Sequence, residues 1–460
     1  MGALLSTAKG RETPVESLGL VFQAMSAAVL TLNAEGRLVV ELLTGEMADI
    51  MERMRYNLLD HRLSSTKNGS KPDPTLFPCK FDSVHMSNIP RDSFRDYIGG
   101  HLTTFLASRP LLEEDKLSSL HFNNLLNPPE FQDHNAFQSE YLLMYDMDRI
   151  RRHFLLARRP GEVTEEQLPP MFRGVISPFA FESYMVWDRV AQKKMAFQEL
   201  MPKAEFEKWM YGHLLKICLP FPRPASSGSP VYAPLNLTTI IRLMIAMFEV
   251  GYPAHWLLGI LSSMCSGVIT TSARPPKKRV CDASDVDAKH PVQQSTIYAW
   301  VPELTTLVSL WHRLLPFGID SLNASLVTLD NICQYSVAFP PFFAESNRYP
   351  HFTLLFWNTE VANAEGPPQG HYALFQDGEG GDCSTSAKAI RENGVVFVTA
   401  FRYHFRSRTA SFWMRSDVVE KMRAGKWRAF IWRTDTWTSV TEGVDVSSGL
   451  VAGERWTGSM

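Results

Sequence analysis

The sequence predicts an α/β region, followed by a helical middle and an α+β, strand-rich C-terminal region. Three observations carry that reading. In the first 160 residues, stretches of apolar residues at helical spacing alternate with short compact apolar runs. Between 166 and 270, helical patterns rich in Met, Phe and Trp dominate. From 350 onward, β-branched and aromatic segments take over. At 460 residues the chain exceeds what one hydrophobic core usually organises. The expected divisions are an α/β half-domain over 1–165, a helical region over 166–270, a polar loop or linker over 271–294, and an α+β region over 295–460.

Taken in order, Leu18, Val21, Phe22, Met25, Val29 and Leu32 place a helix over 17–35, and Gly36 stops it. Residues 38–43, bounded by Gly36 and Gly45, form a compact apolar run that reads as a buried strand. Met47, Ile50, Met51 and Met54 share one face of a helix over 46–58. The polar stretch 62–77, with Asn68-Gly69, Pro72 and Pro74, is a loop. A second strand covers 81–86 and ends in the turn Ser87-Asn88-Ile89-Pro90. Helices over 99–108 and 135–144 and strands over 117–122 and 153–157 follow. This alternation implies a parallel sheet with helices on both faces and right-handed crossovers.

The most apolar stretch, 235–269, is interrupted by Gly251-Tyr252-Pro253 and carries Arg242 and Glu249, so it reads as two packed core helices and not a membrane span. The segment 271–294 is polar, contains Pro275-Pro276, and reads as an exposed loop. Its Lys277-Lys278-Arg279 run is a solvated loop face, with a nuclear-import patch as the alternative. In the last region, strands are expected over 351–357, 395–403, 409–414 and 427–432. A helix over 416–423 has Gly425 just beyond its end.

Composition excludes some classes. A formal net charge of -2 gives no global reason to expect nucleic acid as a partner. Cys79, Cys218, Cys265, Cys281, Cys333 and Cys383 form no CxxC pair, which argues against a zinc finger and fits a reducing compartment. The first ten residues lack the apolar core of a secretory signal. Gly2 and Ser6 match the myristoylation pattern, which is short enough to arise by chance. The expected location is therefore cytoplasmic, with the nucleus as the alternative. His85, His101, His121 and His153 fall near strands without metal-ligand spacing, so they are expected to be satisfied or exposed. Asp282, Asp285 and Asp287 alternate but lack the Gly and distal Glu of a calcium loop. Gly378, Gly380 and Gly381 lack phosphate-loop spacing. Trp413, Trp427, Trp432 and Trp437 read as a strand-rich core, with a binding surface as the alternative. No catalytic and no metal-ligating residue is assigned.

One ordered constellation does suggest a ligand. The run 38–43 ends in Thr44-Gly45-Glu46, the strand 81–86 begins Phe81-Asp82 and ends near Ser87-Asn88 and Pro90, and Leu111-Leu112 precede the next strand. This resembles the second half of the class I S-adenosylmethionine-dependent methyltransferase core, a Rossmann-like parallel sheet. The resemblance implies that Gly45, Glu46, Ser87, Asn88 and Pro90 lie at the cofactor edge, Glu46 on the adenine side and Asn88 on the substrate side. Ligands of such sheets sit at the carboxyl ends of the strands. The structural alternative is that Glu46 favours a helix N-terminus and that Asn88 and Pro90 make a turn. No glycine-rich loop and no earlier strand are found before residue 36, so the half-sheet is incomplete.

The segments LVVELLTGEMADIMERMRY, FDSVHMSNIP, DYIGGHLTTFL, LHFNNLLNPPEF, FQSEYLLMYD and WRAFIWRTDTWTSVT resemble a family of fungal proteins of unknown function. Some members of that family carry a MYND finger, and it is distantly similar to dynein axonemal assembly factor 3. The resemblance runs from about residue 20 onward and implies a methyltransferase-like fold without established activity. No MYND cysteine pattern is present, and Arg91-Asp92-Ser93-Phe94-Arg95 reads as an insertion on the turn that would face a ligand. The function expected first is a non-catalytic interaction or scaffold protein with protein partners and no cofactor. The second is a methyltransferase using S-adenosylmethionine, completed by upstream sequence or a partner. The third is an assembly factor or chaperone-like regulator.

Overall fold

The computed structural model describes residues 14–59 except 39 and 46, 77–86, 100–122 except 115 and 116, and 131–159 except 132. It further describes 185–219, 236–341 except 275, 278, 320, 321 and 323–325, and 352–457 except 379 and 435. The chain divides into two compact units, Met1–Ile50 and Met51–Met460.

In the first unit, helix α1 spans Pro14–Ala34, as the apolar spacing requires. The expected strand over 38–43 does not form: none of residues 40–44 joins a ladder, and Leu42 is 90% exposed. An apolar run becomes a strand only where a neighbouring strand pairs with it in a ladder. Helix α2, Met47–Arg55, carries the chain across the boundary between the two units, with basic Arg53 and Arg55 in its last turn.

The second unit opens with a four-stranded sheet in the order β1-β2-β4-β3, built from β1 Ser83–Met86, β2 Ser119–Phe122, β3 Leu156–Arg158 and β4 Met185–Arg189. Strands β1 and β2 are parallel, from Ser83 opposite Ser119 to Met86 opposite Phe122, with helix α3, Gly100–Ser108, between them in sequence. The other two pairings are antiparallel, so the sheet is mixed and the all-parallel expectation is corrected. The sequence shows where the direction reverses. Helix α4, His134–Leu142, is followed by α5, Met147–Phe154, N-capped by Asp146, whose carboxylate accepts from Arg149 N at 2.7 Å. His153 and Phe154 thus end a helix instead of beginning a strand. Leu155 at φ 53° then turns the chain directly into β3.

Period-2 alternation gives this sheet two unlike faces. Val84, Met86, Leu120, Phe122, Met185 and Trp187 are buried together. Phe105 of α3 packs on Trp187 with ring centroids 4.8 Å apart, close to edge-on. Gly100 starts α3 at φ +62°, and a Cβ there would lie 2.0 Å from the Tyr141 ring, so only glycine lets α4 sit so close. The other face carries Ser83, His85, Ser119, His121 and Asp188.

The middle contains α6 Lys203–Cys218, α7 Thr238–Val250 and α8 Ala254–Cys265. Gly251 ends α7 and Pro253 caps α8, the break the sequence indicates. The segment 271–294 is part exposed and part tied down: Lys277, Arg279 and Lys289 are exposed, while Cys281 and Asp285 are buried. Strands β5 Val268–Thr271 and β6 Gln293–Thr296 pair across its mouth. Helix α9, Ala283–Asp287, begins at Asp282, whose carboxylate accepts from Asp285 N at 3.0 Å, while buried Cys281 donates its N–H to Glu140 at 2.5 Å. A polar composition reads as loop, but the carboxylate of Asp282 and the N–H of Cys281 serve here as a cap and a tie.

Helix α10, Val301–Trp311, leads into two antiparallel sheets. One has the order β10-β11-β7-β15, from β7 Ile332–Ala338, β10 Phe401–His404, β11 Thr409–Arg415 and β15 Leu450–Arg455. The other runs β13-β12-β8-β9, from β8 Phe352–Asn358, β9 Val395–Val398, β12 Trp427–Arg433 and β13 Thr438–Ser439, with β14 Val444–Asp445 also paired to β12. Tyr335, Val337, Phe412 and Met414 of the first share one core with Leu354, Phe356, Val398 and Ile431 of the second, and Val419 and Met422 of helix α11, Ser416–Ala424, complete it. Trp427, Trp432 and Trp437 are buried and belong to the core, whereas Trp413 of β11 is only partly buried and meets Trp456 edge-on at 5.1 Å. Among the described residues no helix is long and apolar enough to cross a membrane.

Candidate functional site

Of the five residues at the expected cofactor edge, only Gly45 is described. It sits exposed at a bend. Glu46, Ser87, Asn88 and Pro90 lie outside the described residues. The strand meant to present Gly45 and Glu46 is absent between 40 and 44, so the pocket wall expected from it is not built there. Among the described residues no group of His, Cys, Asp and Glu is placed to hold a metal ion.

Strand register assembles a polar cluster that the sequence spacing alone left scattered. His85 and His121 stack, with ring centroids 4.1 Å apart and planes 18° apart, because they are register partners on β1 and β2. Ser119 Oγ lies 2.8 Å from His121 Nε2, since residues two apart on a strand share a face. Asp188 of β4 is the register partner of Ser119. Partial burial, then the charges of His85 and Arg159, lower the proton affinity of His121, against the pull of Asp188. Asp188 is itself committed to Arg159, at 3.1 and 2.5 Å, so it neutralises a guanidinium and does not orient an imidazole. The arrangement offers neutral imidazole and hydroxyl hydrogen-bonding groups, without the base-orienting carboxylate of an acyl-transfer triad.

Three further histidines are buried and neutral. His153 Nδ1 lies 2.8 Å from Arg149 O and its Nε2 2.6 Å from the Tyr252 hydroxyl, so Nδ1 donates and Nε2 accepts. His213 Nε2 donates to Leu142 O at 3.2 Å. His101 is wholly buried among Phe105, Phe122, Phe137 and Trp187, with neither ring nitrogen hydrogen-bonded. It is thus neither satisfied nor exposed, contrary to the sequence expectation. Burial lowers the basicity of all three, to about 4 for His153 and about 3 for His213. The opposite case is Glu303 in the first turn of α10. Burial raises its pKa to about 7, although Thr399 N at 2.8 Å and Ala400 N at 2.6 Å both donate to it.

The other candidate surface is helix α1. Phe22, Met25 and Val29 recur at i, i+3 and i+7 and are all exposed, Phe22 by 59% and the neighbouring Leu30 by 68%. With Val40 and Leu42 they are half of the twelve large apolar side chains exposed along the described chain, gathered within 21 residues. The helix carries a single charge, Glu16. The spacing of this stripe is legible in the sequence, but spacing alone cannot tell an inward face from an outward one.

Comparison of the chain with protein-family models, with curated proteins and with solved structures finds no match.

Proposed function

We propose that this protein is a non-catalytic interaction or scaffold protein whose helix α1 docks into an apolar groove of a partner protein. The supporting observation is the exposed stripe of Phe22, Met25 and Val29, joined by Leu30. Gathered exposed apolar side chains mark interaction sites, and i, i+3, i+7 anchors are the pattern of a helix laid in a groove. A protein groove is favoured over a lipid surface because helices that lie on membranes carry Lys and Arg along their polar face, and α1 has none. The compartment proposed is the cytoplasm.

The test is a photo-crosslinking residue at position 22 of the full chain. The reading expects crosslinks to one partner protein along an apolar groove, and weakening of that purified complex by about tenfold or more in Phe22→Glu, as for loss of a central apolar anchor. Crosslinks found only within the chain, or only to a second copy, would overturn it.

A methyltransferase half-sheet is the second reading. It is favoured by the parallel β1-α3-β2 unit that opens with Phe81-Asp82, and it makes S-adenosylmethionine the cofactor. The resemblance to fungal proteins and to the dynein assembly factor supports an assembly role only by analogy.

A further inference from the structure

Thr271 and Gln293 form the last rung of the β5–β6 ladder. Arg274 lies three residues beyond one strand and His290 three residues before the other, so both border the same opening. Helix α6 closes one side of it, where Lys208 Nζ donates to Ala288 O at 3.2 Å. Lys277 stands exposed on the loop.

Two nitrogens at this opening lack partners. Arg274 Nε lies 3.2 Å from Asp285 Oδ1, but among the described residues Arg274 Nη2 is buried with no acceptor and His290 Nε2 is buried with no partner. Buried polar groups are almost always hydrogen-bonded, so such pairs of orphans ask for an occupant. The local charge says of which sign. After burial, the cations Lys277, Lys208 and Arg274 lower the proton affinity of His290, and Asp285 alone opposes them. Asp285 is already shared between Arg274 and Arg279, and Asp287 accepts from the Tyr145 hydroxyl at 2.6 Å. The acids here are therefore spent: among the described residues no carboxylate pairs with Lys208 or Lys277, and His290 adds a neutral ring whose Nε2 is free to hydrogen-bond.

We propose that this opening binds a phosphate oxyanion, held by Arg274 Nη2 and His290 Nε2 with Lys208 and Lys277 supplying charge. A planar carboxylate offers two oxygens to one fork. A phosphate offers three or more, which suits donors arriving from separate segments. Free phosphate and the terminal phosphate of a nucleotide share this chemistry. The site is independent of the docking role of α1.

The test is nuclear magnetic resonance of the histidine rings in the full chain, with the His290 signal assigned through His290→Gln. Inorganic phosphate and ADP are added separately, against chloride at equal ionic strength. A saturable shift of the His290 ring with phosphate or ADP, accompanied by a rise in its proton affinity, is expected. Lys277→Ala, which alters only an exposed side chain, should weaken binding by about tenfold, as for loss of a charge-assisted contact. Tighter binding of ADP identifies a nucleotide as the source, and phosphate alone identifies the free ion. A shift matched by chloride, no saturable shift with either probe, or unchanged affinity in Lys277→Ala would overturn the proposal.

Discussion

Acid should weaken the fold of the second unit well above the pH at which carboxylates titrate. The perturbation is a shift from about pH 6.5 to about pH 5. His101, His153 and His213 bind protons less readily folded than unfolded, where the ordinary value is 6.5. The unfolded chain therefore takes up protons first. Stability from these groups is complete above 6.5 and is lost as pH falls toward their folded values. Each group loses about 1.4 kcal/mol per pH unit, so the three lose about 4 kcal/mol per unit. Glu303 acts oppositely: raised to about 7 from 4.5, it takes its proton in the folded state first and adds stability as pH falls through that window. It returns about 1.4 kcal/mol per unit, leaving a net loss near 2.7 kcal/mol per unit, or about 4 kcal/mol over the whole shift. That is a large share of the roughly 5–15 kcal/mol that holds a typical protein folded. Urea unfolding of the full chain at the two pH values, followed by tryptophan fluorescence, reads the loss. Glu303→Gln removes the compensating group and should steepen the dependence to about 4 kcal/mol per unit, while His213→Gln should flatten the wild-type dependence by about half, to about 1.3 kcal/mol per unit. Equal stability at both pH values, or a Glu303→Gln variant no steeper than the wild type, would refute the reasoning.

Two other outcomes are expected. Arg391 is almost fully buried and donates to Leu374 O and Asp382 O, both at 2.8 Å, while its Nη2 pairs with Asp377 at 2.9 Å, so it closes the loop that holds Gly378, Gly380 and Gly381. Arg391→Met should cost about 1–3 kcal/mol by leaving Leu374 O and Asp382 O without their donor, while Asp377 keeps Thr296 N; a lower urea midpoint reads the loss, and an unchanged midpoint would contradict that role. Trp432 is fully buried in β12, and Trp432→Ala should cost about 3–5 kcal/mol in the same measurement, against less than about 1 kcal/mol if it lined an exposed binding surface.

Local patterns carried much of the architecture. Helices α1, α2, α3 and α4 follow from 3.6-residue apolar spacing, and β8, β11 and β12 from β-branched and aromatic alternation. Failures occurred where a long-range partner decides. The run 38–43 is apolar enough for a strand, but its described residues 40–43 find no ladder. Met185–Arg189 looks like its helical surroundings until β2 and β3 pair with it from both sides. Ile332–Ala338 was missed, although it lies between β11 and β15 at the centre of its sheet. The Ser119, His121 and His85 cluster was illegible for the same reason, because register across strands, and not spacing along the chain, brings it together.

A docking role for α1 requires its apolar stripe to stand open in the isolated chain. Timed peroxide oxidation of the purified protein, read methionine by methionine by mass spectrometry, answers this directly. Met25 is mostly exposed and Met244 fully buried. Met25 is expected to oxidise at the rate of a methionine in an unstructured peptide while Met244 resists. Protection of Met25 to the level of Met244 would mean the helix is already packed within its own chain, and the docking role proposed for it would fail.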